Sequence, residues 1–159
     1  MHMRRKDREV TDASAIRAIL DKARVLHLAM IDGARPYVVP LHYGYTLTDG
    51  RLTLYLHSAR EGRKLDVLRK NSAEAFVLET DVAPVSGGDL PCKYGAAYAS
   101  VMGEGTATIL TDPQEKRTAL AILMKTQTGR DFSFTPDMAS SVAVIRVDVD
   151  AYTAKARRA

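Results

Sequence analysis

What most constrains this chain is a succession of short strand-forming runs joined by connections too brief to hold a crossover helix. Val25–Ile31 (VLHLAMI) is rich in aliphatic residues and leads through Asp32-Gly33, a strong hairpin signal, into Arg35–Tyr45 (RPYVVPLHYGY). Thr48-Asp49-Gly50 turns the chain into Leu52–His57 (LTLYLH), where Leu52, Leu54 and Leu56 face one side and Thr53, Tyr55 and His57 the other. Glu74–Thr80, Ala97–Leu110 (AYASVMGEGTATIL) and the alternating Val142–Val149 complete the set, with Gly103 and Gly105 marking a bend or bulge. Parallel pairing needs connections of a dozen or more residues, so mostly antiparallel pairing is expected. The chain reads as mainly β: a barrel with a few short helices.

Pro36 and Pro40 interrupt the second of these runs. Proline has no N–H for a ladder, so the run belongs at an edge, at a bulge, or against something other than a neighbouring strand. Helices are expected in three places. Asp12 caps a short one whose Ile16, Ile19, Leu20 and Ala23 recur at helical spacing. A second spans about Glu61 to Lys70, with Leu65 and Leu68 inward and Asn71 as its stop. The third opens at Asp112-Pro113-Gln114-Glu115, a capping acid followed by Pro and a Glu in capping-box register, and runs to about Thr126. Asp81–Pro91 and Gly129–Ser140 read as loops.

The 159 residues suit a single domain, and no internal repeat or low-complexity tract divides them. One cysteine, Cys92, excludes a disulfide framework within the chain and any zinc site of paired thiolates, and on its own reads as a buried or half-buried inert thiol. No apolar run approaches the length of a membrane span, and the charged start resembles no signal peptide, so a cytoplasmic protein without membrane attachment is expected. The formal net charge of +4 lies at the ends. Residues 1–9 carry +2 and residues 152–159 carry +3, leaving −1 for the body. Basic tails on a neutral body read as solvated ends, which argues against a nucleic-acid partner.

Hydrolytic machinery is missing from the sequence. His2, His27, His42 and His57 show no metal-ligand spacing, no G-x-S-x-G elbow surrounds a serine, and Gly103-Glu104-Gly105 lacks the rest of a dinucleotide fingerprint. A different pattern stands at His57-Ser58-Ala59-Arg60-Glu61-Gly62-Arg63-Lys64, which passes from a strand end into the first turn of a helix. Unpaired helix N–H groups, the Ser58 hydroxyl and the Arg63 and Lys64 cations suit a phosphate. The same cations equally suit the solvated face of an amphipathic helix, and this segment alone leaves both readings open.

Together, RPYVVPLHYGY at 35–45, LYLHSAREGRKLDVLRKN at 54–71 and YASVMGEGTA at 98–107 resemble the flavin-binding split-barrel family related to pyridoxamine 5′-phosphate oxidase, and within it the NimA-like nitroimidazole-resistance proteins. The likeness runs from about Lys6 to Ala156. It implies an antiparallel split β-barrel and FMN lying across a homodimer interface. His57 and Ser58 would then stand at the strand end by the phosphate, with Arg63 and Lys64 as its basic partners. Val39, Pro40 and Leu41 would lend backbone groups to the isoalloxazine edge, and Ser100 would approach from the other subunit. The resemblance also makes His57 the candidate for proton delivery or substrate contact, since an imidazole titrates near neutrality; His42 is a weaker second.

Two departures from the family pattern are visible. True pyridoxamine phosphate oxidases carry a C-terminal arginine-bearing segment for the substrate phosphate, which Lys155-Ala156-Arg157-Arg158 does not replace, and this argues against vitamin B6 oxidation. The basic residue of the second-strand flavin motif is also missing around Val39. The expectation is an FMN-dependent oxidoreductase passing electrons from NAD(P)H or another donor to a small organic acceptor such as a nitro compound. Its rivals are a deazaflavin-dependent reductase on the same barrel, a flavin carrier or sensor without turnover, and, last, a small barrel that binds nucleic acid.

Overall fold

The computed structural model describes residues 4–158. In chain order these form β1 (Glu9–Val10), α1 (Ala13–Lys22), β2 (Leu26–Asp32), β3 (Arg35–Leu41), β4 (Tyr43–Thr48) and β5 (Arg51–Ser58). There follow α2 (Arg63–Lys70), β6 (Ala73–Val85), β7 (Gly95–Ile109), α3 (Pro113–Thr128), α4 (Pro136–Ser140) and β8 (Ala143–Arg157). All the pairings are antiparallel, in the order β3-β2-β6-β7-β8-β5-β4, with β1 added beside β8.

That order explains why the expected single strand Arg35–Tyr45 is two. β3 and β4 stand at opposite ends of the ladder, six strand spacings or about 29 Å apart on a flat sheet. Only His42 separates them in the chain, and one intervening residue spans at most about 7 Å. The sheet therefore curls until its two edges meet, and His42 is the covalent hinge where the chain steps from one edge to the other.

Each edge is closed to further pairing by its own means. Asp32 and Arg35 face each other across the two-residue turn Gly33-Ala34, with Gly33 at φ 64°, so they form a hydrogen-bonded pair. The alternation then bonds Tyr37, Val39 and Leu41 to β2 and turns Pro36, Val38 and Pro40 toward the open edge. Both prolines thus sit where a neighbouring strand would need their N–H, as the sequence anticipated for an edge. Along β4, side chains cap the edge instead. Gln127 Nε2 donates to the Tyr43 carbonyl at 2.7 Å, the Tyr45 N–H donates to Thr126 Oγ1 at 3.4 Å, and Arg17 donates to the Leu47 carbonyl. The groove lined by Arg17, Arg24, Tyr45 and the last turn of α3 is formed by these caps.

The interior follows the alternation read in the sequence. Leu26 and Leu28 of β2, Leu54 and Leu56 of β5, Leu78, Val101 and Ile145 are all fully buried, joined by Leu20 of α1. Tyr43 is buried with them and donates its hydroxyl to the Leu20 carbonyl at 2.6 Å. A second cluster, Leu110, Ala119, Leu120, Ala139 and Val144, seats α3 and α4 on the outside of the sheet. The α1 and α3 caps are as expected: Asp12 accepts from Ala15 N and Asp112 from Glu115 N, each at 2.8 Å.

Several boundaries differ from the sequence reading. β6 continues through the supposed loop to Val85 and pairs Ala83 with Ala97 after an irregularity at Thr80–Ala83, because the extension leans on β7 alone and needs no core pattern. Cys92, on the turn Pro91–Lys93 at the tip of this arm, is exposed rather than buried. Residues 136–140 make a short helix capped by Thr135. β8 extends to Arg157, pairing Lys155 with Ser100 and Arg157 with Tyr98, while β1 pairs Glu9 with Lys155. The basic segments read as solvated tails are thus in part ordered strand; residues 1–3, His2 among them, and residue 159 lie outside the described residues. The bulge foreseen at the glycines falls between Glu104 and Gly105.

Candidate functional site

The sheet's closure gathers residues that are far apart in sequence. β4 pairs Tyr43 with Leu56, so one step further His42 comes beside His57 on β5. His57 and Ser58 are the last two residues of β5 and pair with Val144 and Ala143 of β8. The chain then passes through Gly62, whose φ of 135° favours glycine, into α2 with Arg63 and Lys64 as its first residues. No side chain caps this helix. Leu65 and Asp66 donate their N–H groups back to the Gly62 carbonyl, which leaves the first-turn N–H groups before them directed out of the helix.

The electrostatics of this corner are one-sided. His57 is half-buried and its Nδ1 is buried with no hydrogen-bond partner among the described residues. Burial first, then the neighbouring His42 and Lys64, holds the imidazole below its usual pKa. Lys64 is half-buried, its ammonium depressed by desolvation, and it has no ion-pair partner among the described residues. No carboxylate contributes to either shift. Two groups that could carry positive charge are thus kept close together without a counter-ion, an arrangement that an anion would relieve. Ser58 points its hydroxyl at its neighbour, donating to the Ala59 carbonyl at 2.9 Å.

Arg63 is differently placed from Lys64. Its Nε and Nη2 both reach Oδ2 of Asp32, at 2.9 and 2.8 Å, and its guanidinium lies 4.3 Å from the centroid of the Tyr37 ring. Sequence reasoning took Asp32 only as a turn residue; it stands 31 positions from Arg63, and no local spacing could reveal the pair. On β3, Val39 and Leu41 face inward onto the core and their backbone is engaged by β2, so of the three expected residues only Pro40 turns its carbonyl to the open edge. Val38, which the sequence did not single out, supplies the N–H there.

Ser100 is remote from this corner within one chain. It pairs with Lys155 of β8, whereas His57 pairs with Val144, eleven residues away along the same strand. Among the described residues there is no group of three or more potential metal ligands, and no helix is long and apolar enough to cross a membrane.

A curled antiparallel sheet whose two edge strands meet, with a cationic corner where a strand runs into an uncapped helix, defines a split-barrel protein. The chain belongs to the pyridoxamine 5′-phosphate oxidase family, whose model matches residues 12–156. Among solved structures it resembles a Bacteroides thetaiotaomicron protein named for 5-nitroimidazole antibiotic resistance, at 32% identity over 92% of this chain and 85% of that one, with a TM-score of 0.77. The fold is shared with the flavocytochrome Anf3 of Azotobacter vinelandii (18% identity, 99% and 73% coverage, TM-score 0.76). It is shared also with an FAD and heme binding protein of Mycobacterium smegmatis (16% identity, 96% and 74% coverage, TM-score 0.78). No curated protein sequence matches the chain.

Proposed function

We propose that this protein is a homodimeric, cytoplasmic FMN-dependent reductase that takes reducing equivalents from NAD(P)H and delivers them to a small organic acceptor, a nitro compound being the expected class. The observation that carries this reading is the buried, unpartnered Nδ1 of His57 beside Lys64, a place where an anionic group restores what burial removed. The donor set fits a phosphate monoester: the Ser58 hydroxyl, the Lys64 ammonium, and the first-turn N–H groups of α2. The open edge of β3 offers the Val38 N–H and the Pro40 carbonyl to a ring. Bound flavin supplies the hydride and electron chemistry; this chain's own residues orient it and exclude water. His57, neutral at rest because its pKa is lowered, can hold a proton at Nδ1 once an anion stands beside it.

Exposed side chains on the sheet's outer face support the homodimer in this reading. On the outer face of the sheet Val38, Ala29, Ala75 and Glu104 lie in one cross-strand row, and Pro40, His27, Val77 and Met102 in the next, so the face is apolar toward β3 and carries a charge on β7. Ile31, Val38 and Met102 are 52%, 54% and 40% exposed there. An apolar face of this kind suits a second copy, which would bring the partner subunit's Ser100 to a site its own chain cannot reach.

The test is direct. Purified protein should show flavin absorbance or take up FMN at one per chain, and Lys64→Ala should weaken that binding about tenfold or more, as loss of a charge-assisted hydrogen bond implies. FMN uptake with unchanged affinity in Lys64→Ala would refute the phosphate assignment, and uptake of a deazaflavin in preference to FMN would transfer the reading to that cofactor. Nitroarene turnover with NADH or NADPH no faster than with free FMN would make the protein a carrier.

A further inference from the structure

We propose that Asp32 is a positioning residue for the flavin phosphate, acting through Arg63, which it holds against Tyr37 with one edge of the guanidinium left free for the anion. The inference rests on the flavin reading above and names how that site is organised.

Three fixed points define the clamp. Asp32 closes β2 and faces Arg35 across a turn set by Gly33, so its carboxylate is tied to the rigid end of a hairpin. Arg63 is the first residue of α2, and its Nε and Nη2 converge on the single oxygen Oδ2 of Asp32 at 2.9 and 2.8 Å. Tyr37, on the inward face of β3, lies under the guanidinium at 4.3 Å and blocks one of its flat sides. Among the described residues Nη1 has no partner, nor has the remaining N–H of Nη2. An arginine on an exposed helix terminus would otherwise sample many rotamers, and a phosphate would have to order it at the moment of binding. With the clamp in place that ordering is already done. The arrangement also joins α2 to the β2–β3 hairpin, so the first-turn N–H groups and Lys64 are held in register with the open edge of β3.

Asp32 has a second, opposing effect: its negative charge offsets that of Arg63. The two effects predict opposite signs for Asp32→Asn, which makes the experiment decisive. FMN and riboflavin, which differ by the phosphate, are titrated into flavin-free wild type, Asp32→Asn, Arg63→Gln and the double variant. Positioning predicts that Asp32→Asn weakens FMN by about tenfold, the scale seen when outer-shell partners of a ligand are removed, and leaves riboflavin unchanged. In the Arg63→Gln background Asp32→Asn should add nothing, since the interaction it served is gone. Amide hydrogen exchange of the first turn of α2, measured without any flavin, should speed up in Asp32→Asn. Unchanged or tighter FMN binding in Asp32→Asn, equal losses for FMN and riboflavin, or full additivity in the double variant would each overturn the proposal. A wild type that binds neither flavin overturns the flavin reading itself, and unaltered exchange in Asp32→Asn then disposes of the clamp separately.

Discussion

At position 74 a carboxyl lies inside the barrel, 6% exposed, with neither oxygen bonded to any partner among the described residues. Burial, reinforced by Asp150, pushes its pKa up to about 8, against roughly 4.3 in an unfolded chain. Between these values the folded protein keeps a proton that the unfolded chain releases, so stability declines as pH rises through this window and levels off above it. Glu74→Gln should therefore stabilise the protein at neutral pH, by on the order of 3 kcal/mol, and flatten the decline. Urea unfolding at pH 5, 7 and 9 measures it, and an unchanged slope would mean that water solvates the carboxyl. Nothing in the sequence marks Glu74 as buried: it opens a strand whose next four residues, Ala75 to Leu78, are all apolar, and its inward side is settled only by the register with Met30 and Gly105. The strand-to-helix passage that follows His57 was legible, because it is a local signal, whereas the tie of Asp32 to Arg63 was not, because the two lie on different elements.

Elements show the same division between local and non-local information. The caps of α1 and α3 and the hairpin turns follow from neighbouring residues and were readable, while the ends of β6 and β8 depend on pairing with β7 and were not. The two edge devices predict different failures. Gly44 lies against α3 so closely that a Cβ would stand 2.4 Å from Leu123 Cα and 2.5 Å from its N, both backbone atoms. Gly44→Ala should cost roughly 3 kcal/mol by forcing α3 off β4, seen as a lowered denaturation midpoint. Replacing both Pro36 and Pro40 by Val would instead restore two N–H groups to the free edge of β3. That variant should keep its helical and sheet content yet associate progressively, which light scattering against time would record; a variant as monodisperse as the parent would show that the prolines do not guard the edge.

For the whole molecule, the exposed Ile31, Val38 and Met102 on the outer face of β2, β3 and β7 predict the assembly. Val38→Asp or Met102→Lys puts a charge on that face without touching the core, so each should yield a folded monomer by sedimentation. The same variants should lose FMN, because a lone chain keeps Ser100 of β7 and His57 of β5 against distant residues of β8, Lys155 and Val144. A monomeric variant that binds FMN as tightly as the parent would show the site to be complete in one chain. Charge counting alone placed the basic residues of 152–157 in a free tail; the fold instead uses Lys155 and Arg157 as rungs of a ladder.

That β8 comes after every other strand and yet lies between β7 and β5 has a bearing on biogenesis. A nascent chain halted before residue 143 has two half-sheets with facing, unsatisfied rims and no seam to join them, a sticky species of the kind chaperones guard. Any nonsense lesion upstream of that seam should leave insoluble material rather than a folded fragment.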